Sequence, residues 1–287
     1  MAVNGEHPIE IRDLSKHYPF IWKKGGVTAL DNLDLTVSAG EVFGLLGPNG
    51  SGKSTTLKLL LGLIRPSAGE ARLFGESVLD VASRRRIGFL PENPYFHKFL
   101  TGEETLHFYG RLCGVYGSEL ERRTDELLAL VGLEQGRDRP LGTYSKGMLQ
   151  RIGLAQSMIH DPELLLLDEP TAGVDPIGSR EIRDLILRLK GMGKTIVLCS
   201  HLLEQVEEVC DRVAILHLGK KILEGGISEL LSVQDLTTVT VRGWTPASEV
   251  DARRELGRIG LGVVAVETPR VTLEKLFLSK VEAEAKR

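Results

Sequence analysis

Cysteine is scarce in this chain. Its three copies, Cys113, Cys199 and Cys210, form an odd and widely separated set. They offer neither a disulfide framework nor the paired spacing of a zinc site, and they suit a reducing compartment. A basic excess is missing as well: 36 Lys and Arg stand against 39 Asp and Glu, a formal net charge of −3. That leaves no electrostatic footprint for nucleic acid, so no nucleic-acid partner is expected. Long apolar runs are absent. The most apolar stretches, at residues 57–64 and 163–167, are far shorter than the roughly 20 residues that cross a bilayer. Residues 1–18 carry no apolar core of a secretory signal. No internal repeat and no low-complexity segment interrupts the chain. The expectation is a chain that does not cross a membrane by itself, with one large domain or one domain and a small companion in 287 residues.

The order of the chain lies in short, unbroken apolar segments: Val42–Leu46, Ile87–Leu90, Leu164–Leu167, Thr195–Leu198 and Arg212–Leu216. Continuous rather than alternating apolar residues mark strands buried on both faces, as in a parallel sheet. Helix-like stretches such as Ser54–Leu63 and Gly178–Lys190 lie between them, giving an α/β pattern. Ile9–Leu14 and Leu33–Val37 read as an antiparallel portion near the N-terminus. Residues 101–160 are rich in helix signals. Thr101 with Glu104, and Ser118 with Glu121, match capping boxes. Leu120, Leu127, Leu128 and Val131 then recur at helical spacing. Thr237–Arg242 alternates like a strand, and Leu273–Val281 reads as a terminal helix.

One segment carries a specific chemistry. Gly47-Pro48-Asn49-Gly50-Ser51-Gly52-Lys53-Ser54-Thr55 contains G-x-x-x-x-G-K-[ST], placed after a buried strand and before a helix. Glycines let backbone N–H groups turn inward around phosphate oxygens, which side chains would obstruct. The helix starting near Gly52 adds its positive end. Lys53 is placed for the β- and γ-phosphates, and the Ser54 hydroxyl for Mg²⁺. The segment predicts a nucleoside triphosphate and a magnesium ion, without specifying which of many NTPases this is.

A second constellation is Leu164-Leu165-Leu166-Leu167-Asp168-Glu169-Pro170. Two carboxylates follow a buried strand, at the sheet edge where ligands collect. Asp168 can hold Mg²⁺ directly or through water, and Glu169 can accept a proton from an attacking water. His201 likewise follows an apolar run, residues 195–200, and is a candidate to contact the γ-phosphate and orient the water.

Tyr144-Ser145-Lys146-Gly147-Met148-Leu149-Gln150-Arg151 completes the pattern. Ser145 reads as the N-cap of a helix carrying Met148, Ile152, Ala155 and Ile159 on one face and ended by His160-Asp161-Pro162. With these motifs, the chain from about Ile9 to Leu230 resembles the ATP-binding cassette ATPases, the nucleotide-binding subunits of ABC transporters. Residues 144–151 resemble the family's L-S-G-G-Q signature followed by x-Q-R. Ser145 and Gly147 match; Tyr144, Lys146 and Met148 depart.

The resemblance implies an α/β P-loop NTPase core with a mostly parallel sheet, an antiparallel N-terminal β portion and an inserted α-helical subdomain at about residues 95–160. It implies a cassette over residues 1–231 and a small appendage over 232–287. ATP and Mg²⁺ are the implied ligands. Ser145 and Gly147 are implied to face the nucleotide of a second cassette, in a homodimer or heterodimer, and Asp175 to touch that second subunit. An aromatic residue is implied to stack on adenine: Tyr18, or Phe20 or Trp22 in the longer segment 19–26. Glu92, in Leu90-Pro91-Glu92-Asn93-Pro94, stands where the family usually has Gln and is implied to reach Mg²⁺. P-E-N-P segments of this kind resemble those of prokaryotic exporter cassettes. The implied function is an ATPase subunit that closes as a dimer on ATP and drives a separate membrane permease from the cytoplasmic face. The alternative is a soluble cassette ATPase acting on ribosomes or DNA. A single P-loop and the lack of a coiled-coil heptad run disfavour that alternative. A P-loop kinase or GTPase leaves residues 145–151 unexplained, and no N-K-x-D segment is present to read guanine.

Overall fold

Two sheets organise the chain, a computed structural model of which describes residues 7–20, 25–232 and 245–263. The chain divides into two units, Met1–Leu230 and Leu231–Arg287. In the first unit the strands are β1 (Ile9–Pro19), β2 (Gly26–Val37), β3 (Val42–Leu46), β4 (Ala68–Leu73), β5 (Glu76–Ser77), β6 (Ile87–Leu90), β7 (Leu164–Asp168), β8 (Thr195–Ser200), β9 (Arg212–His217) and β10 (Lys220–Gly226). Its helices are α1 (Lys53–Leu60), α2 (Gly102–Leu112), α3 (Gly117–Leu130), α4 (Lys146–Ser157), α5 (Pro176–Gly191), α6 (Leu203–Val209) and α7 (Ile227–Leu230). The second unit contributes α8 (Pro246–Arg258), started by a reciprocal cap between Thr245 and Ser248. The strand expected at Thr237–Arg242, the helix expected at Leu273–Val281, and Trp22 lie outside the described residues.

The smaller sheet is antiparallel, in the order β2-β1-β4-β5. The larger runs β10-β9-β3-β8-β7-β6, parallel throughout except for the β9–β10 hairpin. Every residue of β3 and β8 is buried, as is Leu164–Leu167 of β7. Burial on both faces explains why these strands show no alternation in sequence, because both sets of side chains need apolar contact. Alternation governs direction instead. Phe43, Leu45, Leu164, Leu166, Val197 and Cys199 join one core with β1, β2 and α1. Val42, Leu46, Leu165, Leu167, Ile196 and Leu198 join a second core with α2 to α6. The larger sheet is thus the middle layer, with the small sheet and α1 on one face and helices on the other.

Helix α2 starts at the expected Thr101–Glu104 capping box, and both reciprocal bonds are formed. The second expected box is not formed. Helix α3 begins earlier, with Tyr116 at the cap and no side-chain capping bond. The Tyr116 carbonyl already accepts from Leu120 N–H, so Ser118 lies inside the first turn, where its hydroxyl cannot cap. Helix α4 stops at Ser157, short of Ile159. There the chain packs tightly on β6: a Cβ on Gly88 would lie 2.1 Å from the Ser157 carbonyl oxygen.

His160 bridges the same junction. Its Nε2 lies 2.9 Å from the Ile87 carbonyl oxygen, which can only accept, so Nε2 carries the proton. Nδ1 is buried without a partner. A second proton there would have no acceptor, and burial holds the imidazole below its ordinary value, outweighing the favourable carbonyl bond. A lowered folded-state value means the unfolded chain takes up the proton first as pH falls. The contribution of His160 to stability is therefore complete above about pH 6.5 and is lost as pH falls through the lowered value. His160→Gln keeps an N–H for Ile87 and removes the titration. Urea unfolding between about pH 7 and pH 5 is expected to show a flatter stability profile for this variant than for the parent.

Candidate active site

The parallel register brings four strand ends to one edge. Leu46 of β3 pairs with Ser200 of β8, Cys199 with Asp168 of β7, and Leu167 with Leu90 of β6. The loops leaving these ends carry Gly47–Thr55, Glu92, Glu169 and His201. They meet in a cleft of about 510 Å³ lined by residues 49–55 together with Tyr18, Val27, Ala29, Glu92, Glu169 and His201.

The phosphate loop needs its glycines for contact as well as conformation. Gly47 has φ 149°, and a Cβ on it would sit 2.3 Å from the Leu216 carbonyl oxygen. Gly52 has φ 113°, and its Cβ would meet Leu30 Cδ2 at 2.6 Å and the Ala29 carbonyl oxygen at 2.8 Å. Gly52 is also the N-cap of α1, with no side-chain cap and no acidic residue in the first turn. The first-turn N–H groups are thus left to serve an anion. Lys53 is buried, and its Nζ donates to the carbonyls of Gly47 at 2.7 Å and Pro48 at 3.4 Å. Gly47 and Pro48 therefore act behind the cleft surface, holding the lysine. The Ser51 hydroxyl is buried with no protein partner.

Asp168 does not line the cleft. Its Oδ1 is buried and unpartnered. Burial holds its carboxyl above the ordinary carboxylate value; the Ser54 hydroxyl, which hydrogen-bonds to it, opposes this, and the charges of Glu169 and Glu92 reinforce it. Glu169 is buried and adopts φ 49°, the left-handed region. Its N–H donates to the Cys199 carbonyl at 2.9 Å. Oε1 lies 3.9 Å from Lys53 Nζ, and Oε2 accepts from His201 Nδ1 at 2.9 Å and from the His201 backbone N–H at 3.4 Å. A carboxylate only accepts, so Nδ1 carries the imidazole proton, which leaves Nε2 as an acceptor in the neutral ring.

Tyr18 stands at the cleft mouth, 39% exposed, with Lys16 Nζ 5.0 Å from its ring centroid. Its cross-strand partner is Val27. Val27 and Ala29 line the cleft without having been singled out in sequence. Nothing in the sequence marks them, because their place depends on the pairing of Val27 with Tyr18. Phe20 is half exposed and does not line the cleft.

Ser145, Gly147 and Asp175 do not line it either. Ser145 Oγ accepts from Met148 N–H at 3.2 Å and caps α4. Asp175 Oδ1 accepts from Gly178 N–H at 2.9 Å and caps α5, whose first residue is Pro176. A Cβ on Gly147 would lie 3.2 Å from Val174, so the two caps are neighbours. Helix α4 is tied to the cleft through Gln150, whose Nε2 donates to the Glu92 carbonyl at 2.7 Å.

Comparison with known proteins places this geometry. The ABC transporter family model matches residues 30–172. An ABC transporter ATP-binding protein of Nostoc sp. is 48% identical over 226 residues, 78% of this chain and 68% of its own. The fluoroquinolones export ATP-binding protein of Mycobacterium tuberculosis is 41% identical over 229 residues, 79% of this chain and 73% of its own. Among solved structures, a dimeric ATP-binding cassette in a post-hydrolysis state, bound to ADP and Pi, superposes with a TM-score of 0.69 at 26% identity, covering 76% of this chain and 98% of that one. The strand-end cleft, the phosphate loop and these relatives agree: the chain belongs to the ABC transporter ATP-binding proteins, a family of ATP-hydrolysing cassettes.

Proposed function

We propose that this chain powers an exporter: it hydrolyses ATP in the cleft at the sheet edge, works as a dimer of cassettes, and drives a separate permease from the cytoplasmic face of the membrane. The observation that carries the catalytic reading is the convergence of Lys53, Glu169 and His201 on one cleft with the glycine-rich loop. The export direction is supported by relatives named for export, such as the fluoroquinolones export ATP-binding protein.

The residues divide the work as follows. Tyr18 and Val27 offer an apolar shelf to the base. Backbone N–H groups of the glycine-rich loop and the start of α1 bind the phosphates, and Lys53 exchanges loop carbonyls for phosphate oxygens. Glu169 takes the proton of the attacking water, and His201 holds Glu169 through Nδ1 while offering Nε2 to the cleft. Ser54, Asp168 and Glu92 supply hard oxygen donors that fit Mg²⁺, led by the unpartnered Asp168 Oδ1. Among the described residues no cluster of three or more His, Cys, Asp or Glu is grouped to hold a metal alone, so phosphate oxygens and water would complete the shell. Bound there, Mg²⁺ would neutralise charge on the β- and γ-phosphates. Ser145 and Asp175, exposed outside their own cleft, are placed to meet a second cassette, with Gly147 buried beside Val174.

The permease reading has its own support. No helix among the described residues is long and apolar enough to cross a membrane. The segment after Glu92 exposes Tyr95 at 86% and Phe99 at 74%, with Phe108 beside His97. Exposed aromatics grouped in this way mark an interaction surface.

Three outcomes are expected. Glu169→Gln should bind ATP and accumulate a dimer on size-exclusion chromatography, with kcat down at least about 100-fold; normal turnover in this variant would remove Glu169 as the base. Tyr18→Ala should raise the Kd for ATP about tenfold by calorimetry, the loss of one stacked base. The tagged chain, purified from detergent-solubilised membranes of its host, should carry a stoichiometric multi-span protein, and Tyr95→Ser/Phe99→Ser should release it while leaving ATP affinity unchanged.

A further inference from the structure

The segment following the proposed base is tied to the segment following His201 at a second point. Thr171 is buried, and its hydroxyl donates to Gln205 Oε1. Gln205 lies on α6, the helix that follows His201, and its neighbours Val206 and Val209 are anchored in the core. The chain between Glu169 and Thr171 is a tight turn: Ala172 N–H donates to the Glu169 carbonyl at 3.0 Å, and Val174 N–H to the Thr171 carbonyl at 3.2 Å. The links close a ring. It runs from Glu169 through Pro170 to Thr171, across the hydroxyl bond to Gln205, back along α6 to His201, and across the 2.9 Å bond to Glu169.

That ring has two weak places if Gln205 is removed. Glu169 sits at φ 49°, a conformation that a residue with a side chain keeps only when its surroundings hold it. His201 is half exposed, with 49% of its side chain accessible, so packing does not fix its ring. Gln205 does not line the cleft and touches none of the reacting groups.

We infer that Gln205 is a positioning residue for ATP hydrolysis: through Thr171 it holds Glu169 and His201 in mutual register. The inference rests on Glu169 being the base. A small displacement of a base relative to water is costly in rate while leaving substrate binding intact, because the base contributes only as the proton moves.

The test is steady-state ATP hydrolysis by the full chain, with thermal unfolding measured in parallel. Gln205→Leu is expected to lower kcat about tenfold with KM for ATP within about twofold of the parent. Gln205→Glu, whose carboxylate accepts from the same hydroxyl, is expected to restore kcat to within about twofold. Thr171→Val should match Gln205→Leu, and the double variant Thr171→Val/Gln205→Leu should be no slower than either single change, since the two act as one unit. An unchanged kcat in Gln205→Leu overturns the inference. So does a loss shared by KM, a failure of Gln205→Glu to rescue, or a double variant whose loss is the product of the two single losses. Glu169→Gln is run beside them. Turnover in that variant removes the base assignment itself, whereas an inactive Glu169→Gln together with an unaffected Gln205→Leu removes only the positioning role.

Discussion

A parallel sheet covered on both faces has nowhere to put a polar group except at its ends, and that constraint organises this molecule. The buried strands β3, β7 and β8 carry apolar side chains to two cores, one shared with the small antiparallel sheet and one with the helices. Their backbone groups are consumed by neighbouring strands. Past their C-terminal ends the loops bring a lysine, two glutamates and a histidine to one cleft. Parallel register then places those ends side by side, so residues far apart in the chain become neighbours without any single long-range side-chain contact having to draw them together.

The electrostatics of the edge follow from that crowding. Glu92 and Glu169 line the cleft with Lys53, and the Asp168 carboxyl feels the charges of all three. Burial is the main reason the Asp168 carboxyl is raised, and the charges of Glu169 and Glu92 add to it against the Ser54 hydroxyl. Lys53 answers Glu169 at 3.9 Å but is held more closely by the Gly47 carbonyl. Such a cleft suits a polyanion only in the company of a cation and of neutral N–H donors. The glycine-rich loop supplies the donors, and the oxygen set around Asp168 suits the cation. The carboxylate at Glu92 deepens this dependence.

The edge is also mechanically joined to the helical layer. Helix α4 approaches β6 so closely that a Cβ on Gly153 would meet Leu90 at 2.6 Å and Pro94 at 3.4 Å. From the same helix, Gln150 holds the Glu92 carbonyl. The aromatic surface at residues 95–99 therefore sits on a loop that is pinned both to the cleft and to the helix capped by Ser145. Motion of one implies motion of the others, because close-packed contacts of this kind shift as units rather than deform.

What the sequence determined by itself was local. The phosphate loop, the unbroken strands, the Thr101–Glu104 box and the Ser145 cap all depend on neighbours within a few residues, and each can be read from spacing and residue type. Even there, competition between adjacent starts defeated the reading at Ser118, where backbone bonding from Tyr116 began the helix first. Tertiary structure decided what spacing cannot carry. His201 meets Glu169 across 32 residues, Gln205 meets Thr171 across 34, and Gln150 meets Glu92 across 58. The cleft-lining role of Val27 likewise depended on which face of β2 turned toward Tyr18. These pairings are set by strand register and by the depth at which helices seat on the sheet. Both are properties of the packed whole, because a one-residue slip would send every side chain to the opposite face.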